Sequence, residues 1–148
     1  MKHLLIATSF LLLISCGKTS DHSHHDADGA MEGENPNKAL YDQVMDIHDE
    51  VMPKMQDLYS LKLELLEKIA QSPNMPVYKK EELQQTIAAL DSTSNAMMEW
   101  MHNFNPLPDS TNQEAAREYL ESEMESIKKV RSLTNETIER AKEMKEKN

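Results

Sequence analysis

Two short stretches of this chain carry side chains that can hold a soft metal ion. One is His48-Asp-Glu-Val-Met52-Pro-Lys-Met55, the other Met97-Met98-Glu-Trp100-Met101-His102. His48 and Met52 are four residues apart, as are Met98 and His102, and on a helix such pairs share a face. Thioether and imidazole donors suit Cu(I), and an indole can lie over a cation. The spacing raises the expectation of a copper-type site built from His48, Met52, Met98 and His102. Two facts favour plain packing instead. Met45, Met55, Met97 and Met101 fall at ordinary core positions, where methionine fills irregular gaps. Trp100 and His102 also lie about 200° apart around a helix, at about 100° per residue, so one site using both is unfavourable. A methionine-lined groove for a partner helix is the third reading.

Other chemistry is thinner. His22, His24 and His25, with Asp26 and Asp28, can loosely hold Zn2+, Ni2+ or Cu2+, but a solvated polar spacer explains the run more simply. Asp91-Ser92-Thr93 and Asp109-Ser110-Thr111 look like the O-glycosylation motif of exported Bacteroidota proteins. Ser110 has the better setting, at the start of a helix, although plain N-capping explains that triplet more economically. No nucleophile–base–orienter pattern is legible, so no enzyme activity is expected, and copper is the only cofactor considered. With 26 acidic and 16 basic side chains the net charge is −10. Such a chain repels nucleic acid and anionic headgroups.

The elements that must position these residues are helical. Glycines number only three and aromatics are few, while Glu, Lys, Leu, Met and Ala abound, the balance of long helices. A first helix is expected over residues 37–71. Leu40, Val44, Ile47, Val51, Met55, Leu58, Leu65 and Ile69 line one face of it. Tyr41, Met45, His48, Met52, Tyr59 and Leu66 widen that face by about 100°, enough for two neighbours. Pro53 removes a donor and crowds the carbonyl of Asp49, so a kink is expected there. Pro73 and Pro76 break the chain. A second helix is expected over 77–104, with a seam of Leu83, Ile87, Leu90, Ser94, Met97, Met101 and Phe104. After Asn105-Pro-Leu-Pro108 a third opens at the capping-box pattern Thr111-Asn-Gln-Glu114. It runs to about 145 on a stripe of Ala116, Leu120, Ile127, Val130, Thr134, Ile138 and Ala141, and its tail should fray. The expected fold is all-α: an antiparallel three-helix bundle, or long helical hairpin with a third helix, over residues 37–148. Two longer helices pairing with a second copy as a coiled coil is the runner-up. With the first turn centred between Asn74 and Met75, His48 stands level with Met101 and Met52 with Met97.

The start of the chain reads as an address. A basic Lys2-His3 precedes an apolar run over 4–14. That is shorter than the roughly 20 apolar residues a membrane span needs, and fits a secretory signal over 1–15. The run ends in Leu13-Ile-Ser-Cys16-Gly17, which resembles the bacterial lipobox. Cys16 is the only cysteine, and lipidation with palmitate-type chains explains an exported thiol that has no intrachain partner. Residues 16–36 hold every glycine of the chain and few apolar side chains, which suggests a disordered tether.

With the lipobox, the clusters around His48–Met55 and Met97–Pro106 resemble a group of small Bacteroidota lipoproteins, some labelled "viral A-type inclusion protein". The resemblance spans about residues 37–145. It implies an envelope address and a coiled-coil-like composition, and it carries no functional residues. The expected role is an envelope-anchored helical interaction module, at the outer membrane facing periplasm or surface. It would meet the membrane through its lipid, bind another envelope protein, and have the capacity for self-association. A metal-binding or metal-buffering lipoprotein is the alternative.

Overall fold

The computed structural model describes residues 37–106 and 111–147. Four helices appear there: α1 (Lys38–Val51), α2 (Lys54–Ala70), α3 (Val77–Asn103) and α4 (Gln113–Glu146). No strand occurs among the described residues, and no helix among them is long and apolar enough to cross a membrane. The expected signal peptide over 1–15, the expected lipidation site Cys16, and the expected tether over 16–36 with His22, His24 and His25 lie outside the described residues. Ser110 does too.

Pro53 splits the first expected helix in two without turning it back. Met52 and Pro53 both keep right-handed helical angles. Pro53 has no N–H, so one rung of the helical ladder is missing. The chain crosses the gap in tighter three-residue turns closed by long bonds, Met55 N to Met52 O at 3.2 Å and Gln56 N to Pro53 O at 3.3 Å. A polar strap spans the break. The Glu50 carboxylate accepts from Lys54 at 2.9 Å and from Arg131 of α4 at 3.3 Å, and Lys54 also donates to Asn135 at 2.8 Å. The Lys54 hydrogen bond, helped by Arg131, holds the Glu50 carboxyl below its ordinary pKa.

The interrupted rod α1–α2 runs parallel to α4. At one end Asn37 donates to the backbone and side chain of Gln113, at 2.9 and 3.0 Å. At the other the Lys68 ammonium donates to the carbonyls of Met144, Lys145 and Lys147, at 3.0, 2.7 and 2.6 Å. These carbonyls end a helix whose dipole favours a cation there. The C-terminal segment therefore does not fray as its composition suggests. It stays helical to Glu146, with Ala141 and Met144 buried. α3 runs antiparallel to both: His48 meets Trp100 while Lys62 meets Asp91, and Phe104 meets Tyr119 while Thr93 meets Thr137. The fold is thus an all-α three-helix bundle.

The cap of α4 also differs from expectation. Asn112, not Thr111, is the N-cap; its Oδ1 accepts from Glu114 N at 2.9 Å and Ala115 N at 3.3 Å. Every residue of the expected α4 stripe is buried, joined by Met124, Thr137 and Met144.

The α3 seam is rotated from its expected line. Leu83, Leu90 and Met97 are buried as anticipated, but the alternate places go to Thr86, Thr93 and Trp100. Ile87, Ser94 and Met101 are only half-buried. Threonine tolerates these places because its hydroxyl finds a partner. Thr86 Oγ1 donates to Glu82 O at 3.0 Å, Thr134 Oγ1 to Val130 O at 2.8 Å, and the Thr93 and Thr137 hydroxyls meet at 3.0 Å between α3 and α4. The level of Thr93, Thr134 and Thr137 divides the core. Val44, Ile47, Val51, Met97, Trp100 and Ile127 belong to the cluster on the α1 side. Leu58, Leu65, Leu83, Leu90 and Ile138 belong to the one on the α2 side, and Met55 touches both.

The hydroxyl pair sets the register of α3 on α4. Replacing Thr93 by Val leaves the Thr137 hydroxyl without its partner, at a cost of about 1–3 kcal/mol. The double variant T93V/T137V should recover most of that loss. A double-mutant cycle by urea denaturation measures the coupling, and a coupling near zero would remove the register role.

Candidate functional site

Both stretches rich in His and Met lie at the α1 end of the bundle. Here the first rod and α3 stand farther apart: no Cα of α1 lies within 8 Å of a Cα of α3. Rings fill the space. Trp100 stacks on Phe104 with centroids 4.9 Å apart, and the His48 ring lies 5.9 Å from the indole. Tyr41 of α1 reaches Phe104 at 6.0 Å, and Tyr119 of α4 reaches it at 6.2 Å. The Tyr119 hydroxyl accepts from Asn105 N at 2.8 Å, pinning the second break to α4, and burial pushes its pKa up. Trp100 is 6% exposed, and its Nε1 meets no acceptor among the described residues. An unpaired buried donor costs about 1–3 kcal/mol. The ring area and the stacking must outweigh that cost to keep Trp100 inside.

His48, Met52, Met98 and His102 take the outer positions of this region. The His48 side chain is largely covered, and its Nδ1 lies 2.8 Å from Asp49 Oδ1. A carboxylate only accepts, so Nδ1 carries the proton in this contact, and an unprotonated Nε2 would offer its lone pair to a metal ion. Met52 is at the border of exposure, Met98 is 55% exposed, and His102 is exposed. Met97 and Trp100 occupy the inward side of α3, which turns Met98 and His102 outward. No group of three or more His, Cys, Asp or Glu side chains converges among the described residues.

No family model, curated protein or solved structure matches this chain. The site is therefore read from its own geometry. Val77 and Tyr78 at the start of α3 are the most exposed large apolar side chains described, and α2 leaves three more in line along one side. Tyr59, Leu63 and Leu66 are 57%, 47% and 44% exposed, although the same helix buries Leu58, Leu61 and Leu65. Tyr59 and Leu66 were expected to widen the buried face; instead they stand clear of both neighbours. Leu63 was not singled out, and its spacing from Tyr59 and Leu66 was the available signal. Lys68 was also missed, because its role depends on where α4 ends. Partial burial, with Lys79 nearby, pulls the Lys68 pKa below the ordinary lysine value. A hollow of about 470 Å³ beside it, at the α2–α3 turn, is lined mainly by Ser72–Pro76, Lys68 and Lys79. The Lys68 ammonium there is already committed to the α4 carbonyls.

Truncation tests the wedge role of Trp100. Trp100→Ala should cost about 3–5 kcal/mol. Trp100→Phe keeps the stacking, removes the unpaired N–H, and should cost less than half as much. Urea unfolding compares them; equal losses would show that ring packing does not hold α1 to α3.

Proposed function

We propose that the chain is an envelope-anchored lipoprotein whose helical domain is a non-enzymatic protein-interaction module. The supporting observation is the exposure of Tyr59, Leu63 and Leu66 on a helix that already packs against both of its neighbours. Aligned apolar side chains left in water mark surfaces that bind something. The address rests on residues 1–17, where the lipobox-like Leu13–Gly17 follows a signal-like apolar run. The resemblance to small Bacteroidota lipoproteins agrees with that address, and an outer-membrane location is part of the proposal. Two acyl chains suffice for stable anchoring, and residues 16–36 would give the domain reach from the bilayer. The acidic balance argues against nucleic acid as partner.

Labelled palmitate should enter the wild-type protein and not Cys16→Ser, which should leave the membrane fraction. Chemical cross-linking of intact cells should give discrete adducts with another envelope protein. Labelling of Cys16→Ser would overturn the anchor, and a cross-linked sample that stays monomeric would overturn the module.

One contact favours a second reading, soft-metal binding. The Asp49–His48 hydrogen bond is the arrangement that orients an imidazole for a metal, and Met52 follows one turn later. His48 and Met52 would be the ligands; Met98 and His102, turned outward on α3, stand away from them. A ligand of the folded state raises the melting temperature. Ag+, as a redox-inert stand-in for Cu(I), should raise that of the wild type and not that of His48→Ala. No shift at a tenfold molar excess would end this reading.

A further inference from the structure

We infer that α1 is a detachable leaf. It leaves α4 as one unit by opening at Met52–Pro53, while α2, α3 and α4 stay packed, and so acts as a lid over the apolar interior at its end of the bundle. The joint is the weakest place in the first rod. Pro53 gives the carbonyl of Asp49 no donor, and the two bonds that cross the gap are long, 3.2 and 3.3 Å. The backbone of α1 packs on α4, and none of its Cα atoms lies within 8 Å of a Cα of α3. Two polar clasps hold its ends to α4: Asn37 on Gln113 at 2.9 and 3.0 Å, and Arg131 on Glu50 at 3.3 Å. The Glu50–Arg131 pair is exposed, and such pairs contribute little. Between the clasps the hold is the buried Val44, Ile47 and Val51.

The core is divided along the same line. Val44, Ile47 and Val51 belong to the cluster with Met97, Trp100, Met124 and Ile127. The other cluster joins α2, α3 and α4 through Leu58, Leu65, Leu83, Leu90 and Ile138, and no residue of α1 is in it. The Lys62–Asp91, Glu64–Lys145 and Thr93–Thr137 pairs and the Lys68 clasp also stand outside α1. Loss of α1 therefore leaves a second core with its polar ties in place, the condition for opening below the free energy of global unfolding. Nor does α1 hold its helix alone. Its 14 residues match the length at which isolated helices are marginal, about 12–15. Lys38 stands in its first turn and Asp49 and Glu50 in its last, each opposed by the helix dipole. Off α4 the segment melts, and the entropy regained favours the opening. Opening uncovers part of the layer of Met97, Trp100, Met124 and Ile127. Trp100 then loses the His48 ring, 5.9 Å away when closed, and as the only tryptophan of the chain it reports the event.

Hydrogen exchange of the full-length protein in detergent, read by mass spectrometry, tests the leaf. The hydrogen-bonded amides of α1 should exchange as one group, about tenfold or more faster than the slowest amides of α3 and α4. Leu65→Ala weakens the core that the open form keeps. It should speed exchange in α3 and α4 and leave α1 as it was. Should that variant fail to fold, Ile138→Val makes the same comparison with a smaller truncation. Pro53→Ala gives the Asp49 carbonyl its donor back and should slow α1 about tenfold or more. Urea below the main unfolding transition should shift the Trp100 emission to the red while the slowest α3 and α4 amides stay protected. One common rate for α1, α3 and α4 overturns the proposal, because α1 would then open only with the whole bundle. An α1 rate that rises with Leu65→Ala as much as theirs does the same. Exchange graded inward from Lys38 is fraying rather than release of a unit, and an α1 rate that Pro53→Ala leaves unchanged removes the joint; either result also overturns it.

Discussion

Pro53 has no N–H to give the carbonyl of Asp49, and much of the bundle follows from that missing rung. The first rod is interrupted there rather than ended, because both residues at the break keep helical angles. α2 stays wedged between α3 and α4, while α1 follows α4 and stands farther from α3. The opening must be filled, since interiors are close-packed. Trp100, Phe104 and Tyr41 have the volume to do it. Glu50, Lys54, Arg131 and Asn135 then hold the break against α4. Their pairing is exposed and contributes modestly, but it joins both sides of the break to one partner.

The two ends of the molecule consequently differ. At the α1 end rings and thioethers fill a wide gap, and His48 with Met52 lies at its edge. At the α2 end leucines pack closely and Lys68 closes the last turn of α4. Between them the Thr93–Thr137 pair adds a directional contact that a purely apolar layer lacks. A hydrophobic seam can slip by a turn at little cost, whereas a buried hydroxyl that loses its partner cannot.

α2 has more apolar side chains than three rods can cover. Seventeen residues carry five leucines, a tyrosine, a methionine and an isoleucine. Those at the positions of Leu58, Leu61 and Leu65 are spent on α3 and α4. Burial of Tyr59, Leu63 and Leu66 would need a further rod, which the described residues do not supply. A monomer that merely had to fold would gain solubility by replacing them with charge.

Local chemistry alone determined which segments are helices, because apolar period, proline and chain composition act within a few residues of where they stand. It placed both breaks and the interruption at Pro53, and seven of the ten buried positions of α4. It did not decide the rotation of α3. The lines through Ile87, Ser94 and Met101 and through Thr86, Thr93 and Trp100 are adjacent on the helix, and propensity cannot choose between them. The choice fell to Thr137, which offers Thr93 a hydroxyl, and to the gap beside α1, which needs a tryptophan. The outward turn of Met98 and His102 follows from that rotation. The same holds for the fate of the broad apolar face on the first rod. Periodicity counted its residues, but only the angle at which α3 and α4 pack left Tyr59, Leu63 and Leu66 in water, because coverage depends on contacts between segments far apart in the chain.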